Sequence, residues 1–191
     1  MTRRVVVASK NADKVSEVEA VLDHVGGFEV VRGLDWPEVE ETEETLEGNA
    51  LLKARAVAAA TGIDTIADDT GLEVAALGGA PGVITSRYAG PNASYAQNVA
   101  KLLSELDGIT ERSARFRTVV VMVAADGTET VAEGVLYGRI AEEPRGAGGF
   151  GYDPVFETGA VTLAEIPPAA KNRISHRALA LQALAAMLDA Q

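Results

Sequence analysis

Val5-Val6-Val7-Ala8-Ser9-Lys10-Asn11-Ala12-Asp13-Lys14 is the stretch whose reading decides the fold. Four small apolar residues in a row read as a buried strand, and Val15, Val18, Val21 and Leu22 then recur at helical spacing. A short polar loop lies between them. A strand that passes through such a loop into a helix is the unit of an α/β sheet, and the backbone N–H groups at the helix start offer a place to an anion.

The chain continues in the same manner. Residues 29–32 read as a second strand, and Trp36-Pro37 with the acidic run Glu38-Val39-Glu40-Glu41-Thr42-Glu43-Glu44 reads as a loop. A helix follows with Leu46, Ala50, Ala54, Val57 and Ala58 on one face and Gly62 as its stop. Thr65-Ile66-Ala67 enters the acid pair Asp68-Asp69 and residues 72–77 leave it, which puts the pair where a strand ends. Ser94 and Gln97 form a capping box for a helix carrying Val99, Leu102, Leu103 and Leu106. Asp126-Gly127 is the turn of a hairpin joining 116–125 to 128–140. A glycine-rich loop, 146–154, precedes a last strand and a helix running from Ser175 as N-cap to about Ala190. An antiparallel hairpin inserted between α/β segments implies an α/β fold with one mixed central sheet flanked by helices. We expect a single domain over residues 1–191, with the hairpin giving room for a second lobe and a cleft.

Composition narrows the function. The 191 residues hold 47% hydrophobic and 24% charged residues, the balance of an ordinary globular chain. No stretch approaches the roughly 18 apolar residues of a membrane span, and the N-terminus turns polar too soon for a signal peptide, so the expected address is the cytoplasm, with no membrane partner. The absence of Cys excludes disulfides, thiolate zinc sites and a cysteine nucleophile. A net charge of −11 argues against a nucleic-acid polymer as partner but leaves room for a small phosphorylated ligand held by a local basic pocket and a divalent ion.

The acid pair is the strongest chemical signal. Adjacent carboxylates followed by Thr70-Gly71 read either as an acidic turn or as a site for a hard cation or a proton. Gly146, Gly148 and Gly151 match G-x-G-x-x-G, but no strand precedes and no helix follows, so a dinucleotide fingerprint is rejected. The loop instead lets the backbone approach a flat ligand, with Phe150 or Tyr152 as a stacking ring, unless those rings plug a hydrophobic junction. Lys171-Asn172-Arg173-Ile174-Ser175-His176-Arg177 gathers cations at a helix start, an unfavourable place without an anion. Lys53 alone reads as a surface lysine on the helix face opposite Ala50, and Glu40 and Glu41 alone read as solvated loop residues.

Taken together, several segments resemble the ITP/XTP pyrophosphatase (Ham1-like) family. They are Ser9-x-Asn11-x-x-Lys14 with Glu17, Asn49-Ala50 with Lys53-Ala54, Ala67 to Leu72, Gly78 to Gly82 with Ser86-Arg87-Tyr88, Gly148 to Pro154, and Lys171-x-x-x-Ser175-His176-Arg177. The match is collinear over nearly the whole chain. The resemblance implies an elongated two-lobed fold, a homodimer, and Mg2+-dependent cleavage of ITP, dITP and XTP to the monophosphate and pyrophosphate. It implies Asp69 as proton acceptor and metal ligand, Asp68 beside it in support, and Glu40 or Glu41 as a further metal ligand. Ser9, Lys10, Asn11, Ala12, Asp13, Lys14 and Lys53 would bind phosphates and Thr70 would touch substrate. Phe150, Gly151, Tyr152, Asp153, Lys171, His176 and Arg177 would hold base and sugar.

The chain departs from the family pattern at Lys10, where glycine is common, at Gly48, where an acid is common, and at Pro167-Pro168-Ala169-Ala170, which replaces a more acidic approach to Lys171. Lys10 adds a potential phosphate contact and Gly48 softens a helix start; neither removes a group that the chemistry needs. Two rivals stand beside this reading: a non-catalytic nucleotide sensor with the same pocket, and a Maf-like pyrophosphatase for other modified nucleotides.

Overall fold

The computed structural model describes residues 2–190. Strand β1 (Arg3–Val7) forms where the valine run is buried, and Asn11 then caps helix α1 (Ala12–Val25), whose Val18, Val21 and Leu22 face the interior. After β2 (Phe28–Val30) and the acidic loop come α2 (Leu46–Thr61), β3 (Asp64–Val74), the two-residue β4 (Pro81–Gly82) and α3 (Tyr95–Glu105). The chain ends with β5 (Ser113–Val123), β6 (Glu129–Ile140), β7 (Phe156–Thr158), β8 (Val161–Thr162), α4 (Pro168–Ile174) and α5 (His176–Asp189). The strands are hydrogen-bonded in the order β2-β1-β3-β5-β6-β7-β8, with β4 on β3. β1 is parallel to β2 and β3, whereas β4 is antiparallel to β3, β7 to β6 and β8 to β7. This is the mixed sheet with flanking helices that the hairpin inserted between α/β segments implies.

Several elements fall where local chemistry puts them. The Ser94–Gln97 capping box is present, Gly62 closes α2 in the left-handed conformation at φ 67°, and Ser175 caps α5 through its hydroxyl. Three readings need correction. The second strand is Phe28–Val30 rather than 29–32, because Arg32 is drawn into a two-pronged pair with Glu19 on α1 at 2.8 and 2.7 Å. The acid pair does not end a strand: β3 runs on through Asp68 and Asp69 because β4 pairs with Leu72 and Glu73. Lys171 does not sit at the start of α5 but on the separate short helix α4, which Pro168 opens at a position where its missing N–H costs nothing.

By packing, the chain divides into two compact units. The first comprises the residues up to Asp69, Thr118–Gly134 and those from Ser175 onward; the second comprises Thr70–Arg117 and Val135–Ile174. In the first, Val5, Val7, Ile66, Val120 and Met122 of the sheet pack against Val18, Val21 and Leu22 of α1 and Ala178, Leu181 and Leu184 of α5. In the second, Leu72, Val74, Phe116 and Ile140 pack with Leu102 and Leu106 around Phe156, whose ring meets Phe116 at 4.6 Å between centroids. Arg112 is buried there and donates to the carbonyls of Leu106, Ile140 and Ala141, which satisfies the end of α3 and the end of β6 together.

Candidate active site

The loop between β1 and α1 is shaped by its own side chains. Ser9 Oγ accepts from Asn11 N at 3.2 Å, and Asn11 Oδ1 accepts from Asp13 N at 3.0 Å and Lys14 N at 3.3 Å. Those bonds fix the first turn of α1 and point the half-buried Lys14 at Asp68, with Nζ 3.5 Å from Oδ2. Lys10 in the loop and Ala12 and Asp13 on that turn are exposed.

Because side chains alternate along a strand, neighbours on β3 look to opposite faces. Asp68 shares its face with Ile66, and Ile66 packs against α1 and α5. There Arg177, at the start of α5, donates to Asp68 Oδ2 through Nε at 3.2 Å and Nη2 at 3.1 Å, and its Nη1 is bound by Glu17 of α1. Burial works against ionising Asp68, but Lys14, Arg177 and Lys53 outweigh it and hold the carboxyl well below the usual carboxylate range. Burial likewise opposes the charge on Arg177, and Asp68 and Glu17 more than compensate.

Asp69 looks the other way, to α2 and the acidic loop. Asn49 Nδ2 donates to its Oδ2 at 3.3 Å, and Lys53 Nζ lies 3.8 Å from Oδ1. Lys53 is not a surface lysine: it donates to Glu41 Oε1 at 2.6 Å and to the Asp68 carbonyl at 2.7 Å. Burial opposes its charge, yet Asp69, Asp68 and Glu41 keep its pKa above the ordinary lysine value. Asp69 itself is pushed up to about 6 by burial, with Glu41 and Asp68 adding to the shift against Lys53 and Lys14. Two adjacent carboxyls therefore behave oppositely, one locked as an anion and one poised to take a proton.

The acidic loop is also divided. Glu41 is half-buried on Lys53, while Glu40 is exposed and lines a shallow groove with Val39, Leu52 and Ala56. Glu41 and Asp69 thus face one ammonium group, which marks a position where their oxygens converge on positive charge. Among the described residues no cluster of three His, Cys, Asp or Glu side chains could hold a metal by itself. Magnesium does not need one, since it keeps several waters and takes one or two carboxylates plus phosphate oxygens.

The remaining sequence-chosen residues fall into two places. In the second unit, Asp153 accepts from Phe150 N at 2.8 Å and is ion-paired with Lys171; both side chains are buried. Lys171 Nζ lies 5.1 Å from the centroid of the half-buried Phe150 ring, and the Tyr95 ring lies 5.8 Å away, tilted by 40°. Gly149, at φ 69°, has no room for a Cβ against the Asp153 carboxylate, which explains one glycine of that loop. Tyr152 is a core residue, with its hydroxyl on the Thr85 carbonyl at 2.9 Å, so of the two rings only Phe150 remains half-open. Gly151 and Thr70 are half-buried. In the first unit, His176 is buried, its Nδ1 against the Thr118 hydroxyl.

Two residues at this site received no role from the sequence. Glu17 lies one turn after Lys14 on α1, and Asn49 lies next to Ala50 on the buried face of α2. A polar residue at an apolar helix position was the available signal for Asn49, because a buried amide needs partners.

Fold and charge define a class: mixed α/β proteins that present buried carboxylates and lysines together, the combination that phosphate chemistry uses. The sequence profile of the Ham1 family matches residues 5–187, and the chain belongs to that family. It is 50% identical to a dITP/XTP pyrophosphatase of Methylococcus capsulatus, an alignment covering 100% of this chain and 98% of that protein. It is 47% identical to a dITP/XTP pyrophosphatase of Bacillus licheniformis over 98% of each chain. Among solved structures, a HAM1 protein from Coxiella burnetii superposes with a TM-score of 0.88 at 39% identity, covering 100% of both chains.

Proposed function

We propose that this chain is a Mg2+-dependent nucleoside triphosphate pyrophosphatase that hydrolyses ITP, dITP and XTP to the nucleoside monophosphate and pyrophosphate, clearing deaminated purines from the nucleotide pool. The observation that carries the reading is the convergence of Glu41 and Asp69 on Lys53, with Lys14 held on the neighbouring Asp68. The names of the full-length relatives point to the same reaction.

Each residue then has a task. Asp69 accepts the proton of the attacking water, a role suited to a carboxyl whose pKa is raised towards the working pH. Lys14 and Lys53 hold the phosphates together with the loop of Ser9, Lys10, Asn11, Ala12 and Asp13. Asp69 and Glu41, rather than the exposed Glu40, would hold Mg2+, which would supply further neutralisation of phosphate charge. Asp68 keeps Lys14 and Arg177 in place. Phe150, set by Asp153 and Lys171, would offer the base a ring beside the Gly151-Tyr152 turn; the resemblance adds Thr70, His176 and Arg177 as substrate residues. A 6-keto oxygen accepts hydrogen bonds and a 6-amino group does not, so donors at the base site favour inosine and xanthine over adenine by as much as roughly 10⁴-fold.

A homodimer in the cytoplasm fits the resemblance, and light scattering reads the oligomer directly. No helix among the described residues is long and apolar enough to cross a membrane.

Pyrophosphate release from a side-by-side panel of ITP, XTP, GTP, UTP and dTTP with Mg2+ tests the proposal. ITP and XTP should lead the panel by a wide margin. Preference for UTP or dTTP would point to Maf-like chemistry, and binding of ITP without pyrophosphate release would point to a sensor.

A further inference from the structure

Asn49 is fully buried, and both polar atoms of its amide are hydrogen-bonded. Oδ1 accepts from the backbone N–H of Glu43 at 3.0 Å, while Nδ2 donates to the Glu43 carbonyl at 3.3 Å and to Asp69 Oδ2 at 3.3 Å. One side chain on α2 therefore ties the acidic loop to the carboxyl at the centre of the site. Only an amide has the required pattern, one acceptor and two donors in a plane; a carboxylate of the same shape would set an acceptor against two acceptors.

The neighbouring glycine makes room for this tie. A Cβ on Gly48 would lie 2.7 Å from Glu43 Cβ, so Glu43 can lie over the first turn of α2 only because residue 48 has no side chain. Thr45 caps the same turn through Gly48 N at 3.0 Å. The bare backbone at Gly48 and the Asn49 bridge belong to one arrangement.

We propose that Asn49 is the positioning residue of the active site: it fixes the Asp69 carboxyl by Oδ2, assigns Oδ1, the oxygen facing Lys53, to the chemistry, and holds the Glu41-bearing loop in register with it. Glu41 is two residues from Glu43, so a loop clamped at Glu43 delivers Glu41 to Lys53. The kinetic part of this proposal rests on the pyrophosphatase reading; the bridge itself does not.

The test joins an exchange measurement to steady-state kinetics on the full chain. In the wild-type protein the Glu43 amide should exchange with deuterium at least about tenfold more slowly than the amides of Glu40 and Glu44, because it alone has a buried side-chain acceptor. Asn49→Asp and Asn49→Ala should remove that protection and lower kcat for ITP by roughly 10- to 100-fold, with KM changed less than about threefold, since the phosphate-binding lysines stay in place. Gly48→Ala would press its Cβ on Glu43 and should lower kcat by a smaller factor than Asn49→Ala. A Glu43 amide exchanging at loop rates in the wild type, or a folded Asn49 variant with kcat within about twofold of wild type, would overturn the proposal. Wild-type protein that protects Glu43 yet releases no pyrophosphate from ITP would instead contradict the proposed reaction and leave the bridge standing.

Discussion

The two faces of β3 carry the same side chain one residue apart under opposite conditions. On the face towards α1 and α5, Asp68 is enclosed by Arg177 and Lys14, with Glu17 bracing the arginine. On the face towards α2, Asp69 has a neutral amide, a more distant ammonium and a second carboxylate, Glu41, on that same ammonium. Burial is similar for both, at 4% exposure each, so burial alone does not separate them. The count of facing charges does. A buried carboxyl that faces two cations is held as an anion, and one whose single nearby ammonium is shared with a second acid is pushed towards protonation.

Removing the Asp69 carboxylate breaks that contrast most sharply. Asp69→Asn should lower pyrophosphate release from ITP by roughly 10²- to 10⁴-fold while leaving the unfolding midpoint near wild type, because a neutral amide removes a charge that burial disfavours. Single-turnover assays and thermal unfolding measure the two arms. Retained turnover would take Asp69 out of the centre of the mechanism.

On the opposite face the effect should appear in stability first. Asp68→Asn leaves Arg177 and Lys14 without their shared anion, and we expect a loss of about 3–5 kcal/mol in urea unfolding. Arg177→Ala strands Asp68 in the same way. Comparable stability in either variant would mean that the network is dispensable.

The pH dependence sharpens the comparison further. Raising a carboxyl pKa in the folded state means that the native protein holds the proton more tightly than the unfolded chain, so Asp69 makes stability fall as pH rises from about 3.8 to about 6. The depressed Asp68 does the reverse: its contribution is present above the unfolded value and is lost as pH falls below it. Asp69→Asn should therefore flatten the decline in stability between pH 4 and 6, and the acid limb of kcat/KM in the wild type should lie near pH 6 at low Mg2+. Unfolding curves across pH 3–8 check the first, and rate profiles the second.

The smallest effect belongs to the other unit. Lys171→Met removes the ammonium beside Phe150 and leaves Asp153 buried without its ion pair; KM for ITP should rise several-fold with kcat little changed. A kcat loss as large as that of Asp69→Asn would assign Lys171 to the chemistry instead.

Much of this arrangement was legible in the sequence. The strand–loop–helix of Val5 to Lys14, the caps at Ser94 and Ser175 and the stop at Gly62 are local devices, set by residues within a few positions of one another. The acid pair and the lysines were legible as residue types. Their partners were not. Lys53 read as a surface side chain because its helix face is judged from neighbouring apolar residues, while its real partners, Glu41 and Asp69, come from a loop and a strand. Tyr152 and Phe150 looked equivalent until packing placed one hydroxyl on Thr85 and left the other ring half-open. The acid pair read as a strand end because β4, which extends β3, is only two residues long and has no pattern of its own.

The sequence by itself determined that two carboxyls stand side by side in an apolar setting, that a helix start with a lysine follows β1, and that cations gather near residue 175. The alternation of a β-strand requires Asp68 and Asp69 to part company. Which helix meets which face is set by long-range packing, by α1 and α5 on one side and α2 on the other, and that packing alone decided which carboxyl is held as an anion and which is pushed towards protonation.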